Sequence, residues 1–147
     1  IVKDIIRTIL DDPTMFCGME IRDITLAPIP DFSKRDLYYC GSPILIKRKM
    51  KDGSFKQFNF NDVEASHYMK ETLVNKMHEA GLEDDEKLDI HFDMSYDKKK
   101  LKFVHYHDIG NKASLCPVII HGKPETKHFA WEVGIGNSTG IGFGAIY

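Results

Sequence analysis

An α+β fold is what this sequence predicts, and three observations predict it. From residue 37 onward the elements read strand, helix, strand, strand, helix, strand. Between residues 88 and 96, Leu88, Ile90, Phe92, Met94 and Tyr96 alternate with polar residues, the period of a half-buried strand. Ala65, Met69, Leu73, Met77 and Ala80 recur at helical spacing along one face. Together these give a ferredoxin-like (RRM-like) βαββαβ unit, an antiparallel sheet with two helices on one face.

The chain opens on a different element. Val2, Ile5, Ile6, Ile9 and Leu10 are in helical register from the first residues, with no cap and no initiator methionine. The expected reading is the end of a longer protein. Asp11-Asp12-Pro13 stops that helix, because proline disfavours helical geometry in the residue before it. Residues 19–26 carry the β-branched character of a strand, and Pro28 and Pro30 end it. Residues 1–36 thus read as the last helix and strand of a first ferredoxin-like unit plus a linker, and 37–147 as a second unit. A helix without its sheet predicts self-association, including a homodimer, or partial disorder of that first segment.

In the second unit Leu37 to Cys40 extends a strand, Gly41-Ser42-Pro43 bends, and Ile44-Leu45-Ile46 leads into Lys47-Arg48-Lys49. Asp52-Gly53 makes a turn. Asn59 or Asn61 starts the long helix, Asn61 with Glu64 forming a capping box, and Gly81 closes it. Glu83 to Glu86 is a solvated acidic loop. The strand at 88–96 turns at Asp97-Lys98-Lys99-Lys100 into a strand from Leu101 to Ile109, and Val118-Ile119-Ile120 is a short apolar run. Pro124 opens the last helix, Gly134 ends it, and residues 142–147 form a final strand.

Composition bounds the function. With 147 residues, 42% hydrophobic and 29% charged, the chain is one ordinary globular domain with room for a remnant of another. A net charge of −2 excludes avid, sequence-blind nucleic-acid binding by the whole surface, so any such role rests on local basic patches. No apolar run approaches a membrane span, and Cys17, Cys40 and Cys116 suit reduced thiols in the cytoplasm.

The strongest local signal is at the end. Five glycines fall at 134, 136, 140, 142 and 144. No Gly-Lys-Ser/Thr follows, which excludes a nucleotide P-loop, and the spacing is not that of a dinucleotide fingerprint. Tight packing of the loop on itself is one account. Close approach of a phosphate backbone to exposed N–H groups is the other.

Three stretches carry a resemblance. Ser42-Pro43-Ile44-Leu45, Ala113 to Gly122, and above all Gly134-Ile-Gly-Asn-Ser-Thr-Gly-Ile-Gly-Phe-Gly144 resemble the CRISPR-associated endoribonucleases that cut precursor CRISPR RNA within its repeats, the Cas-six family. The resemblance implies a C-terminal half that binds repeat RNA and needs no cofactor or metal. It implies cleavage by attack of a ribose 2′-hydroxyl on the adjacent phosphate, aided by a general base, a general acid and a charge-stabilising donor. In most members the key histidine lies in the first unit, so no catalytic residue is assigned here and this fragment alone would be inactive. The RNA-binding candidates are Gly134, Gly136, Asn137, Ser138, Gly140, Gly142, Phe143 and Gly144, with Lys47, Arg48 and Lys49. The alternative is a non-catalytic subunit holding CRISPR RNA within an effector complex, among other CRISPR-associated subunits.

Other groups carry weaker signals. His105 and His107 share a strand face, and in one hairpin register would meet His91 and Asp93, as a metal sensor or as an RNA-stacking face with Tyr106. Lys98-Lys99-Lys100-Lys102 is a second basic cluster. Tyr38, Tyr39, Phe55, Phe58 and Phe60 stack on bases or, more commonly, anchor a core.

Overall fold

The computed structural model describes residues 2–26, 28–106 and 109–147, in two compact units, Ile1–Pro30 and Asp31–Tyr147. In the first, helix α1 (Val2–Asp11) ends as expected. The Asp12 carboxylate accepts bonds from the Thr14 N–H and hydroxyl, closing a turn around Pro13. Ile6, Ile9 and Leu10 line a groove of about 500 Å³ with Ile21, Ile24 and Leu26. The strand expected at 19–26 does not form. Glu20 makes an isolated bridge to Thr14, and the remaining described residues of that stretch are irregular. β-propensity alone does not make a strand; a neighbouring backbone must pair with it.

In the second unit the elements are β1 (Leu37–Tyr38), β2 (Ile46–Lys49), β3 (Phe55–Phe58), α2 (Ala65–Glu79) and β4 (Asp89–Phe92). There follow β5 (Lys100–Tyr106), β6 (Ile109–Leu115), β7 (Val118–His121) and α3 (Pro124–Val133). One antiparallel sheet has the order β1-β7-β4. Beyond β1, a bridge joins Cys40 to Ile146, and Tyr39 and Tyr147 exchange N–H···O bonds of 3.0 and 2.9 Å. The terminal stretch therefore lies beside β1, completing the interleaved order of a ferredoxin-like unit. Two antiparallel hairpins, β2-β3 and β5-β6, are inserted into that plan.

The core follows the sequence pattern. Tyr38, Ile90, Phe92, Val118 and Ile120 of the sheet pack with Met69, Leu73 and Met77 of α2 and Ala130 of α3. Each such large apolar side chain contributes roughly 1.5–3 kcal/mol by burial. Phe32, in the stretch read as linker, is also buried and stacks on His128 at 5.0 Å.

Several local expectations are corrected. The capping box of Asn61 and Glu64 is absent: Asp62 instead accepts the Asn59 N–H and side-chain amide, and Asn59 accepts the Asn61 N–H. The strand of 88–96 stops at Phe92, because the Asp93 carboxylate turns the chain by accepting the Ser95 N–H and hydroxyl. Met94 is consequently exposed. Strand β6 lay hidden in a stretch with Gly110, Asn111 and Lys112, residues of low β-propensity. Residues 142–147 form only the bridge at Ile146, after a short 3-10 turn at Thr139–Ile141.

The acidic loop is not wholly solvated either. Asp85 is only 4% exposed, and its carboxylate accepts the N–H groups of Lys123 at 2.6 Å and Lys87 at 3.0 Å. It fixes the entry to α3, whose own first residues offer no side-chain cap.

Candidate nucleic-acid interface

The glycine loop leaves α3 at Gly134, which has φ of +75°, and returns to β1. Three of its glycines are buried, and the molecule's own backbone comes near them. A Cβ on Gly134 would lie 2.8 Å from the Gly144 carbonyl oxygen, one on Gly136 would lie 2.4 Å from that of Leu45, and one on Gly144 would lie 1.9 Å from that of Ile135. The Ile135 N–H donates to Gly144 and the Gly144 N–H to Pro43, each at 2.9 Å. Gly140 and Gly142, by contrast, are exposed and have no atom within 4 Å of a built Cβ. One glycine run thus serves two purposes: its ends pack, and its tip at 138–142 is exposed apart from the half-buried Thr139.

The loop is docked on β2. The Asn137 N–H donates to Leu45 at 2.7 Å, and its side-chain oxygen accepts the Lys47 N–H at 2.7 Å. Phe143 is buried with Leu45 and Ala113, so it is a core residue rather than an open stacking platform. Along β2 the side chains alternate. Arg48 donates to the Tyr68 carbonyl and the Thr72 hydroxyl, both at 2.8 Å, reaches Glu71 at 3.3 Å and lies over the Tyr68 ring. Its charge is already engaged by α2. Lys47 and Lys49 alternate with it along the strand; Lys49 is exposed and Lys47 half-buried, its ammonium 4.4 Å from the Phe55 ring centre. Of the basic triplet, the two lysines are the residues available beside the loop.

Residues 27–147 match the family model for the CRISPR associated protein Cas6, C-terminal. The chain belongs to the Cas6 family. Solved structures at 21% identity share its fold: one described as CRISPR associated protein Cas6 (TM-score 0.78, 99% of this chain and 62% of that one). A second is a Cas6-related protein from Pyrococcus furiosus (TM-score 0.74, 21% identity, 99% and 62%). A third is described as a RAMP protein binding different RNA substrates (TM-score 0.77, 21% identity, 98% and 63%). The chain therefore spans just under two thirds of those proteins. No curated protein matches it in sequence.

A residue the sequence reading missed supports the loop of this Cas6-family chain from below. Lys76 of α2 donates to the Gly134 carbonyl at 2.9 Å and the Thr139 hydroxyl at 3.2 Å, tying the base of the loop to its tip. Its position three residues after Leu73 put it on the flank of the buried face, the one signal that could have found it. Burial pushes its ammonium down to about 8, against a small opposing pull from Glu79. One lysine should therefore titrate near 8 when followed by NMR of the lysine Cε carbons, and Lys76→Met should remove that transition. Because the folded value lies below the unfolded one of about 10.4, this group makes stability rise with pH between the two.

The histidine constellation is not assembled. Strand β4 pairs with β7 and β5 with β6, so His105 lies opposite Gly110, away from His91 and Asp93. His107 and the side chain of Tyr106 lie outside the described residues. His91 instead stands 5.9 Å from His121 between ring centres, with Asp89 bound to the first and Asp36 to the second. Among the described residues no three His, Cys, Asp or Glu side chains gather as a metal site. No helix is long and apolar enough to cross a membrane, again among the described residues.

Proposed function

We propose that this chain is the C-terminal, RNA-binding half of a cytoplasmic Cas6-family endoribonuclease that cleaves precursor CRISPR RNA within its repeats. The observation that carries the reading is the exposed tip of the glycine loop, Ser138 to Gly142, docked through Asn137 beside Lys47 and Lys49. The Ile141 and Gly142 N–H groups already donate to the Ser138 and Thr139 carbonyls. The exposed N–H groups at the start of the tip, with the two ammonium groups, are what offer a phosphate backbone hydrogen bonds and charge. In this reading a 2′-hydroxyl attacks the neighbouring phosphate without metal, and the catalytic groups belong to a preceding unit of the full-length protein.

The test is incubation of the full-length protein with a repeat RNA in EDTA. Cleavage leaving a cyclic phosphate end is expected. Metal-dependent cleavage would overturn the mechanism. Tight binding with no cleavage would favour the second reading, a non-catalytic RNA-holding subunit, which the similar RAMP protein described as binding different RNA substrates supports. Residues 1–147 alone should bind RNA more weakly than the full-length protein and leave it uncut.

A further inference from the structure

A pocket of about 220 Å³ opens where the end of β1, the start of β7 and the turn before β5 meet the terminal stretch. Its aromatic wall is Tyr39, Tyr96 and Tyr147. Tyr39 sits 6.0 Å from Tyr96, edge to face, and 6.1 Å from Tyr147 at a shallow tilt. Tyr39 and Tyr147 are 40% and 60% exposed, although each carries a large ring that burial would favour. Their backbones are locked together by the two bonds that pair the terminal stretch with β1, so the rings are presented by rigid chain.

The charged side chains lining the pocket are both positive, with the Asp93 carboxylate near enough behind its floor to act on the Cys116 thiol. Lys98 and Lys100 stand exposed in its lining and form no ion pair among the described residues, and no Asp or Glu lines it. Lys99 between them is turned inward, donating to the carbonyls of Met94 and Tyr96 and fixing the turn. The pocket floor holds Cys40 and Cys116, whose thiols burial pushes up to about 11, so they add no negative charge. Two ammonium groups beside exposed aromatic rings match the two faces of one nucleotide: a base that stacks and a phosphate that carries charge.

We propose that this pocket binds one base of single-stranded RNA, stacked on Tyr39 and Tyr147, with the adjacent phosphates held by Lys98 and Lys100. The proposal rests on the RNA-binding reading above and adds a second contact point to it. Gly142 at the loop tip and Tyr147 are five residues apart (147 − 142), so at most about 18 Å of chain separates them. A single RNA strand leaving the loop can reach the pocket.

The test uses the full-length protein and two labelled probes of equal length, single-stranded oligouridylate and an abasic ribose-phosphate oligomer. Wild type should bind the oligouridylate about tenfold more tightly, the margin expected for one stacked base. Tyr39→Leu and Tyr147→Leu should erase that preference and leave abasic binding unchanged, while Tyr39→Phe and Tyr147→Phe retain it. Lys98→Gln with Lys100→Gln should weaken both probes and flatten the salt dependence. Equal binding of both probes by wild type, or a preference untouched by the leucine variants, overturns the pocket and leaves the loop reading standing. Failure of wild type to bind either probe or a repeat RNA overturns both. Should the leucine variants fail to fold, photocrosslinking of wild type to 4-thiouridine RNA decides: adducts at Tyr39 or Tyr147 are expected, and adducts elsewhere only refute the site.

Discussion

Replacing Gly144 with alanine should cost about 3 kcal/mol, a large fraction of an ordinary domain's stability. Two penalties combine. The backbone there has φ of +72°, which costs a side-chain-bearing residue about 1 kcal/mol. The added Cβ would lie 1.9 Å from the Ile135 carbonyl oxygen, so the two packed segments of the loop must separate, at roughly 1–3 kcal/mol. Gly140→Ala is the matched control. Its Cβ meets nothing within 4 Å and its φ is not positive, so stability should move by less than about 0.5 kcal/mol. Urea unfolding of the two variants checks the first half of the claim. RNA titration of the stable Gly140→Ala protein checks the second: affinity should fall if the tip meets an RNA backbone. An unchanged affinity would mean that the tip is only a turn.

Asp85→Ala should be the next most damaging change, at about 2–3 kcal/mol. Its carboxylate is buried and holds two N–H groups, and alanine leaves both donors without their charged acceptor. Gly122 packs directly on the carboxylate: a Cβ there would sit 2.7 Å from the Asp85 oxygen. Calorimetry should show the melting temperature falling by roughly 10 °C. Burial alone would push the carboxyl up, but the Lys123 N–H, the Thr126 hydroxyl and the Lys87 N–H outweigh it and hold it below the usual carboxylate range. The sign follows. A lowered folded value contributes stability above the unfolded value of about 3.9, and that stability is lost as pH falls through the folded value. Wild type and Asp85→Ala should therefore converge in stability below about pH 4. A gap still unchanged well below pH 4 would place the effect in packing and not in charge.

These two residues also mark the limit of what could be read without coordinates. Gly144 was conspicuous in sequence, but whether its neighbour is RNA or its own chain depended on where Ile135 lies. Asp85 looked like one acid among four in a loop, and nothing local distinguished it from Glu83, Asp84 and Glu86. Its partner is Lys123, 38 residues away. Proximity in sequence groups Arg48 with Lys47 and Lys49; strand alternation turns it toward α2 and leaves the two lysines beside the loop. The pairing of β4 with β7 likewise broke up the histidine face that a simple hairpin would have built.

What the sequence determined by itself was the part written in short-range periodicity and special backbone residues. The alternation of Leu88, Ile90 and Phe92, the helical spacing of Met69, Leu73 and Met77, Pro124 at the start of α3 and Gly134 at its end all hold in the fold. Each is set by the local geometry of its own element. Only the tertiary structure decided which strands pair, which glycines are packed and which are free, and which charges are already engaged. Those depend on contacts between residues far apart in the chain, and a sequence pattern carries no distance between them. The glycine loop shows both: its composition announced that something comes close, and the fold shows that at three positions the visitor is the protein itself.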